Sequence, residues 1–254
     1  MTTIIAIGGE EIGVLREDGT NRRIAAEVIH KEIIARTAKK HPKVLYIPTA
    51  KNDSEAYIAG FKRYYSGLGC REIDVLRLIR HRQSVAEIKA QIMSADLIYV
   101  NGGNTHRMMR MWKKRGVVDL LKQAHQNGIV MSGGSAGAIC WFKSGDSNSF
   151  NKRRPFKATA MGIVNALLCP HYDTEKSRKS SLKRMMKKTP KIVAIALDEC
   201  AAIEIIDNSY RILSATPKNK ARRTYWLKDK YIVEDIKTTD HFQDLDVLLT
   251  KPAA

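Results

Sequence analysis

The sequence predicts an α/β domain: a parallel sheet with helices on both faces, followed by an antiparallel C-terminal extension. Three observations predict it. Short apolar runs alternate with amphipathic stretches through the first 140 residues, glycine-rich turns follow several of those runs, and beyond Cys140 the rhythm changes to short, closely spaced strand-like segments. Strands alternating with helices of roughly 10–18 residues argue for β-α-β units with right-handed crossovers.

In order, residues 3–7 read as a buried strand ending in Gly8-Gly9, 21–38 as a helix, 44–48 as a strand and 52–67 as a helix. A strand over 72–76, a helix over 84–94, a strand over 95–100, helices over 106–115 and 118–127, and a strand over 129–132 complete the first half. Residues 143–160 are polar and basic and read as loop, and 176–188 have helix composition ending before Pro190. Segments 192–197, 201–206, 210–213, 222–227 and 231–234 read as strands, with Lys228-Asp229-Lys230 linking the last two as a hairpin. No repeat or linker interrupts the chain, so residues 1–254 are expected to form one domain.

With 254 residues, 44% hydrophobic and 28% charged, the composition excludes whole-chain disorder. No apolar run approaches the roughly 18 residues of a membrane span. The opening Met1–Glu10 reads as strand and turn rather than signal peptide. Four cysteines (Cys70, Cys140, Cys169, Cys200) are dispersed without C-x-x-C or zinc spacing, which suits reduced thiols in packing roles. The expected compartment is therefore the cytoplasm, with no membrane partner.

The net charge is +18, and residues 143–191 carry 13 Lys/Arg against 3 acids. Such a patch attracts nucleic acid or an acidic substrate, or is simply a solvated face. No aromatic-rich or RNA-binding signature accompanies it, so nucleic acid is not the favoured partner. No G-x-G-x-x-G, Walker motif or ligand cluster calls for a cofactor or metal.

The strongest chemical signal is Ser132-Gly133-Gly134-Ser135-Ala136-Gly137-Ala138-Ile139-Cys140. It contains G-x-S-x-G between a predicted strand and a predicted helix, the context of a nucleophile elbow. Small neighbours let the turn close and lift the Ser135 hydroxyl off the sheet edge, where the N–H of Ala136 can hold an oxyanion. The other reading is a close-packed glycine turn without catalysis.

A second turn, Asn101-Gly102-Gly103-Asn104-Thr105, ends the preceding strand. A parallel sheet puts it on the same edge, so Gly102 and Gly103 can supply a second donor. Asn104 is either a substrate-facing amide or the cap of the next helix. A serine nucleophile needs a base. Of seven histidines, His171, just beyond the apolar run ending Leu167-Leu168-Cys169-Pro170, is the best placed. A thiol enzyme using Cys140 or Cys200 is a weaker alternative.

These residues resemble the peptidase E (aspartyl dipeptidase) family of serine peptidases, whose relatives include cyanophycinase. The resemblance rests on Val100–Thr105, Gly133–Trp141, Cys169-Pro-His-Tyr172 and Ile195–Ile203, in the family's order over about 100 residues. It implies a flavodoxin-like, three-layer sandwich of the class I glutamine amidotransferase type. Serine rather than cysteine at the elbow favours a peptidase over an amidotransferase.

It also implies a triad of Ser135, His171 and a carboxylate, with Glu199 the favoured acid and Asp146 the alternative. Arg178 would then pair with a substrate carboxylate. The implied function is hydrolysis of short peptides, Asp-X dipeptides among them, by a monomer or homodimer without a cofactor. The alternatives are a cyanophycinase-like isoaspartyl or amide hydrolase, and a non-catalytic basic protein that binds anions or nucleic acid.

Overall fold

The computed structural model describes residues 1–10, 12, 25–81, 83–151 and 154–252. Its first half runs β1 (Thr3–Ile7), α1 (Glu27–Ala35), β2 (Lys43–Ile47), a 3-10 turn (Thr49–Lys51), α2 (Glu55–Gly67), β3 (Glu72–Val75) and α3 (Val85–Met93). It continues through β4 (Leu97–Val100), α4 (Thr105–Lys114), α5 (Val117–Gln126), β5 (Val130–Gly134) and α6 (Ala136–Ile139). The strands and the helices α2 to α5 match their sequence expectations to within a few residues, α1 is shorter than the expected 21–38, and the 3-10 turn is not among the expected elements. Residues 21–24 of the first expected helix lie outside the described residues.

Strands β1, β4 and β5 are buried at every position, as strands covered on both faces must be. Side chains alternate between the faces. Ile5 and Ile7 pack with Ile29 and Ile33 of α1 and with Phe61 and Tyr65 of α2. Ile4 and Ala6 share a cluster with Ile88, Trp112 and Leu121 of α3, α4 and α5. The result is the expected helix–sheet–helix sandwich. Local signals set the helix starts. Ser84 and Glu87 form a reciprocal capping box at α3, and Asn104 caps α4.

The second half comprises β6 (Phe142–Ser147), β7 (Phe156–Thr159), β8 (Val164–Cys169), α7 (Ser177–Lys187), β9 (Ala194–Leu197), β10 (Ala201–Ile206) and β11 (Ser209–Ser214). Then follow β12 (Ala221–Leu227), β13 (Lys230–Ile236), β14 (Gln243–Asp244) and α8 (Leu245–Leu249). The main sheet has the order β14-β11-β10-β1-β5-β4-β2-β3. Its members β1, β5, β4, β2 and β3 are parallel, and β10, β11 and β14 extend it antiparallel. A second sheet, β13-β12-β9-β8-β6-β7, has a parallel centre in β6, β8 and β9.

Two sequence expectations change. The antiparallel C-terminal strands do exist, but they are divided between the two sheets. The expected loop over 143–160 holds β6 and β7. Ser144, Asp146 and Ser147 are polar yet buried, a pattern that carries no apolar periodicity to read. The 228–229 hairpin is as expected, with Lys228 at φ 52° and Leu227 paired to Lys230.

One face of the second sheet joins the main core through Leu168, Ile195 and Leu197. Its other face is covered by Leu182, Met185 and Met186 of α7. Two backbone hydrogen bonds extend the β1–β10 pairing of the main sheet to the corner where the site lies: Gly8 N–H to Ala201 O at 2.8 Å and Cys200 N–H to Gly9 O at 2.9 Å.

Wholly buried Glu204 of β10 anchors α1 to this antiparallel flank. It accepts from Arg36, at the end of α1, and from Arg211 of β11, which also reaches Glu32. Removing one member of such a network strands the other charges. Glu204→Ala is expected to lower the unfolding free energy by about 3–5 kcal/mol, measured by urea titration. A change under about 1 kcal/mol would contradict the anchoring role.

Candidate active site

The parallel strands β1, β5, β4 and β2 end on one edge, where an α/β sheet builds its sites. Ser135 follows β5 at φ 54°, ψ −112°, a conformation that costs a non-glycine residue strain. The turn is held by the Ser135 N–H, which donates to Ile7 O at 3.0 Å. It closes because Gly137 has no side chain: a Cβ there would run into the Val100 carbonyl of β4. The helix it opens, α6, is a single turn. Its contribution is the unpaired first-turn N–H groups rather than a long dipole.

The second sheet brings up His171 and Glu199. His171 follows β8 and Glu199 follows β9, parallel neighbours ending side by side. His171 Nε2 lies 2.6 Å from Ser135 Oγ, and His171 Nδ1 lies 3.3 Å from Glu199 Oε1. His171 sits at φ 118°. It is fixed from both sides, as Tyr172 N–H donates to Leu197 O and Glu175 N–H to His171 O, each at 3.2 Å.

Asp173 Oδ1 accepts from the Glu199 N–H at 3.0 Å. Gly9 leaves the space the imidazole fills, since a Cβ there would land on the His171 ring and 3.0 Å from Cγ of Glu199. The hydrogen bond from His171 holds the half-exposed Glu199 carboxyl below its ordinary range, against a smaller opposing effect of burial.

Above the elbow, the space a Gly102 Cβ would take lies 3.1 Å from Ser135 Cβ. Among the described residues, the N–H groups of Gly102, Gly103 and Ala136 donate to no backbone or side-chain acceptor. They line or adjoin a cavity of about 300 Å³ that Ser135 and His171 also line. A larger hollow of about 450 Å³, between Tyr210, Arg223 and Glu234, contains none of these groups.

The sequence model of peptidase family S51 matches residues 18–213. The chain belongs to peptidase family S51. Relatives of this S51 chain include the uncharacterized peptidase YgaJ of Bacillus subtilis (strain 168), 30% identical over 224 residues, covering 88% of this chain and 92% of that one. Peptidase E of Nostoc sp. is 23% identical over 181 residues, covering 67% and 72%. The crystal structure of a peptidase from an acI-B1 Actinobacterium superposes with a TM-score of 0.71 at 17% identity, over 96% of this chain and 97% of that one. At that identity the likeness is one of fold.

Three sequence expectations for the S51 site are corrected. Asp146 is not the carboxylate beside His171. It is wholly buried, takes Arg178 Nη1 at 3.1 Å and the Ser181 hydroxyl, and touches Cys169 Sγ at 3.8 Å. Burial pushes its carboxyl up, against the pull of Arg178 and Ser181. Arg178 does not face substrate either: it is 1% exposed and also pairs with Glu175 at 2.9 Å. Asn104 spends its amide on structure, accepting from Arg107 N–H at 2.8 Å and donating to Ser149 O at 3.2 Å.

Sequence reasoning missed Glu10, Lys51, Tyr57 and Asn148, all on the cavity wall. Glu10 and Lys51 follow β1 and β2, so the rule that flagged Gly102 after β4 would have flagged them too. Among the described residues, no group of His, Cys, Asp and Glu could hold a metal, and no helix is long and apolar enough to cross a membrane.

Two outcomes follow. Arg178→Met leaves Asp146 buried without its cation and is expected to cost about 3–5 kcal/mol of stability. The protein that remains folded should keep the wild-type KM. A rise in KM of tenfold or more without a fall in melting temperature would return Arg178 to the substrate. For Glu199, a lowered native carboxyl contributes stability above its unfolded value of about 4.3, and this is lost as pH falls through the native one. The melting-temperature gap between wild type and Glu199→Gln is therefore expected to close between about pH 5 and pH 3. A gap that holds constant across that range would contradict the pairing.

Proposed function

We propose that the protein is a cytoplasmic serine peptidase that hydrolyses short peptides, Asp-X dipeptides among them, through Ser135, His171 and Glu199. The observation that carries this reading is the 2.6 Å approach of His171 Nε2 to a strained Ser135 hydroxyl. Residues 1–254 act as one domain, because the two sheets share a core and each supplies part of the triad.

His171 removes the proton from Ser135 as Oγ attacks the scissile carbonyl. The tetrahedral oxyanion is taken by the N–H groups of Ala136 and of Gly102 or Gly103. His171 then protonates the leaving amine. In the second half-reaction His171 activates water, which attacks the acyl-Ser135 ester, and the proton returns to Ser135 as the acid leaves. Glu199 fixes the imidazole tautomer and stabilises its charged form. The cavity of about 300 Å³ suits a substrate of a few residues rather than a folded protein.

The test is hydrolysis of a panel of Asp-X, Glu-X, Ala-X and β-Asp-Arg dipeptides by wild type and variants. Ser135→Ala is expected to lose on the order of 10⁴-fold or more in kcat, and Glu199→Gln about 10²- to 10⁴-fold. Cleavage unaffected by Ser135→Ala would sink the assignment. Exclusive cleavage of β-Asp-Arg would move the substrate to the isoaspartyl class.

A further inference from the structure

Glu10 occupies a place that the hydrolytic steps themselves do not require. It follows Gly8-Gly9 at the end of β1, and its side chain is only 5% exposed. Oε2 is held 2.7 Å from His30 Nε2, and His30 Nδ1 lies 3.0 Å from the Tyr65 hydroxyl. His30 and Tyr65 are wholly buried, so this chain of contacts fixes the carboxylate from behind.

Oε1 points the other way. It sits where a Cβ on Gly134, the residue before the nucleophile, would be, and the side chain lines the cavity. Among the described residues no donor reaches Oε1. A carboxylate oxygen there is unfavourable for the reaction, because it repels the oxyanion that develops at the elbow. A cation on the substrate would cancel that repulsion.

The opposite flank carries the complementary charge. Lys51 ends the turn after β2, with Nζ 3.1 Å from the Tyr57 hydroxyl and 4.3 Å from the centre of its ring. Both residues line the same cavity. Among the described residues, Lys51 is the one basic side chain on its wall besides His171. Along the sheet the order is β1, β5, β4, β2, so Glu10 and Lys51 stand on either side of Ser135 and the Gly102-Gly103 turn. Three strand spacings separate their backbones by roughly 14 Å. Two residues of extended peptide span about 7 Å, and the two side chains reaching inward fill the remainder.

We propose that Glu10 and Lys51 form a charge-paired substrate clamp. Glu10 takes the free α-ammonium of a short peptide and Lys51 takes a carboxylate of the same molecule. The selected class is small zwitterionic peptides with an unblocked amino terminus. The proposal rests on the serine-peptidase reading above and replaces Arg178 with Lys51 as the carboxylate partner. Because the bound ammonium also shields the oxyanion from Glu10, a blocked amino terminus lowers kcat as well as raising KM.

The test uses the full chain with Asp-Leu, N-acetyl-Asp-Leu, Asp-Leu-amide and Asn-Leu, together with labelling of Ser135 by a fluorophosphonate probe. Wild type is expected to favour Asp-Leu over its N-acetyl form by about 10- to 100-fold in kcat/KM, the value of one charged hydrogen bond. Glu10→Gln should bring that ratio to within a few-fold of one. Glu10→Asp, which keeps the charge, should retain part of it and covers a Gln variant that fails to fold.

Lys51→Met should abolish discrimination against either the amide or the Asn peptide, and which one identifies the terminal or the side-chain carboxylate. A ratio near one in wild type, or an unchanged ratio in Glu10→Gln, overturns the Glu10 assignment. Unchanged discrimination in Lys51→Met overturns that of Lys51. A wild-type protein that labels at Ser135 but cleaves none of the four peptides overturns the clamp and leaves the nucleophile standing. One that neither labels nor cleaves removes the serine-peptidase reading itself.

Discussion

The van der Waals contact between the elbow and β4 is the constraint on which the site depends. Gly133 and Gly137 both press on the Val100 carbonyl, with no room for a Cβ at either. This contact lets the chain leave β5 and reverse within one residue, so the strain falls on Ser135 at φ 54°. Side-chain packing on both faces of the sheet stabilises that strain, and the reversal leaves the hydroxyl pointing out of the sheet edge. The same approach draws the Gly102-Gly103 turn, which directly follows Val100 and Asn101, over Ser135. One contact thus sets the position of the hydroxyl and of the N–H groups that face it.

His171 and Glu199 come from a different sheet than Ser135, and their alignment depends on how the sheets are joined. The hydrogen bonds between Gly8 and Ala201 and between Cys200 and Gly9 fix the end of β1 against the loop that carries Glu199. Cys200, at φ 55°, makes the tight step from Glu199 into β10. Strand β10 belongs to the main sheet and β9 to the second. The Glu199–Cys200 link is therefore the corner where the chain crosses between sheets, and Ser135, His171 and Glu199 meet there because both sheets end there.

Buried charge plays a supporting part away from the chemistry. Asp146, Arg178 and Ser181 pin α7 onto β6 beside the apolar cluster of Leu182, Met185 and Met186. Through Glu175, which accepts from Asn148 at 3.2 Å, the same network reaches the cavity wall. Arg178 thus shapes the site from behind without meeting what enters it. This also accounts for part of the basic excess between residues 143 and 191: one of its cations neutralises a buried carboxylate.

The sequence alone determined the layered architecture, because parallel strands covered on both faces must be short, apolar and separated by amphipathic helices. It also pointed to the elbow, because small residues at 133, 136 and 137 permit so tight a turn, and to Ser135 and His171 through the resemblance those blocks carry. It did not reveal β6 and β7, because β6 buries the polar Ser144, Asp146 and Ser147, and Asp146 is satisfied by Arg178 and Ser181, more than 30 positions away. Nor did it separate Glu199 from Asp146, or show that Arg178 is interior. A carboxylate and a guanidinium read the same in a sequence whether they face a ligand or each other. Only the tertiary structure decided which, because pairing depends on the register of the second sheet against the first, and no local pattern of residues encodes that register.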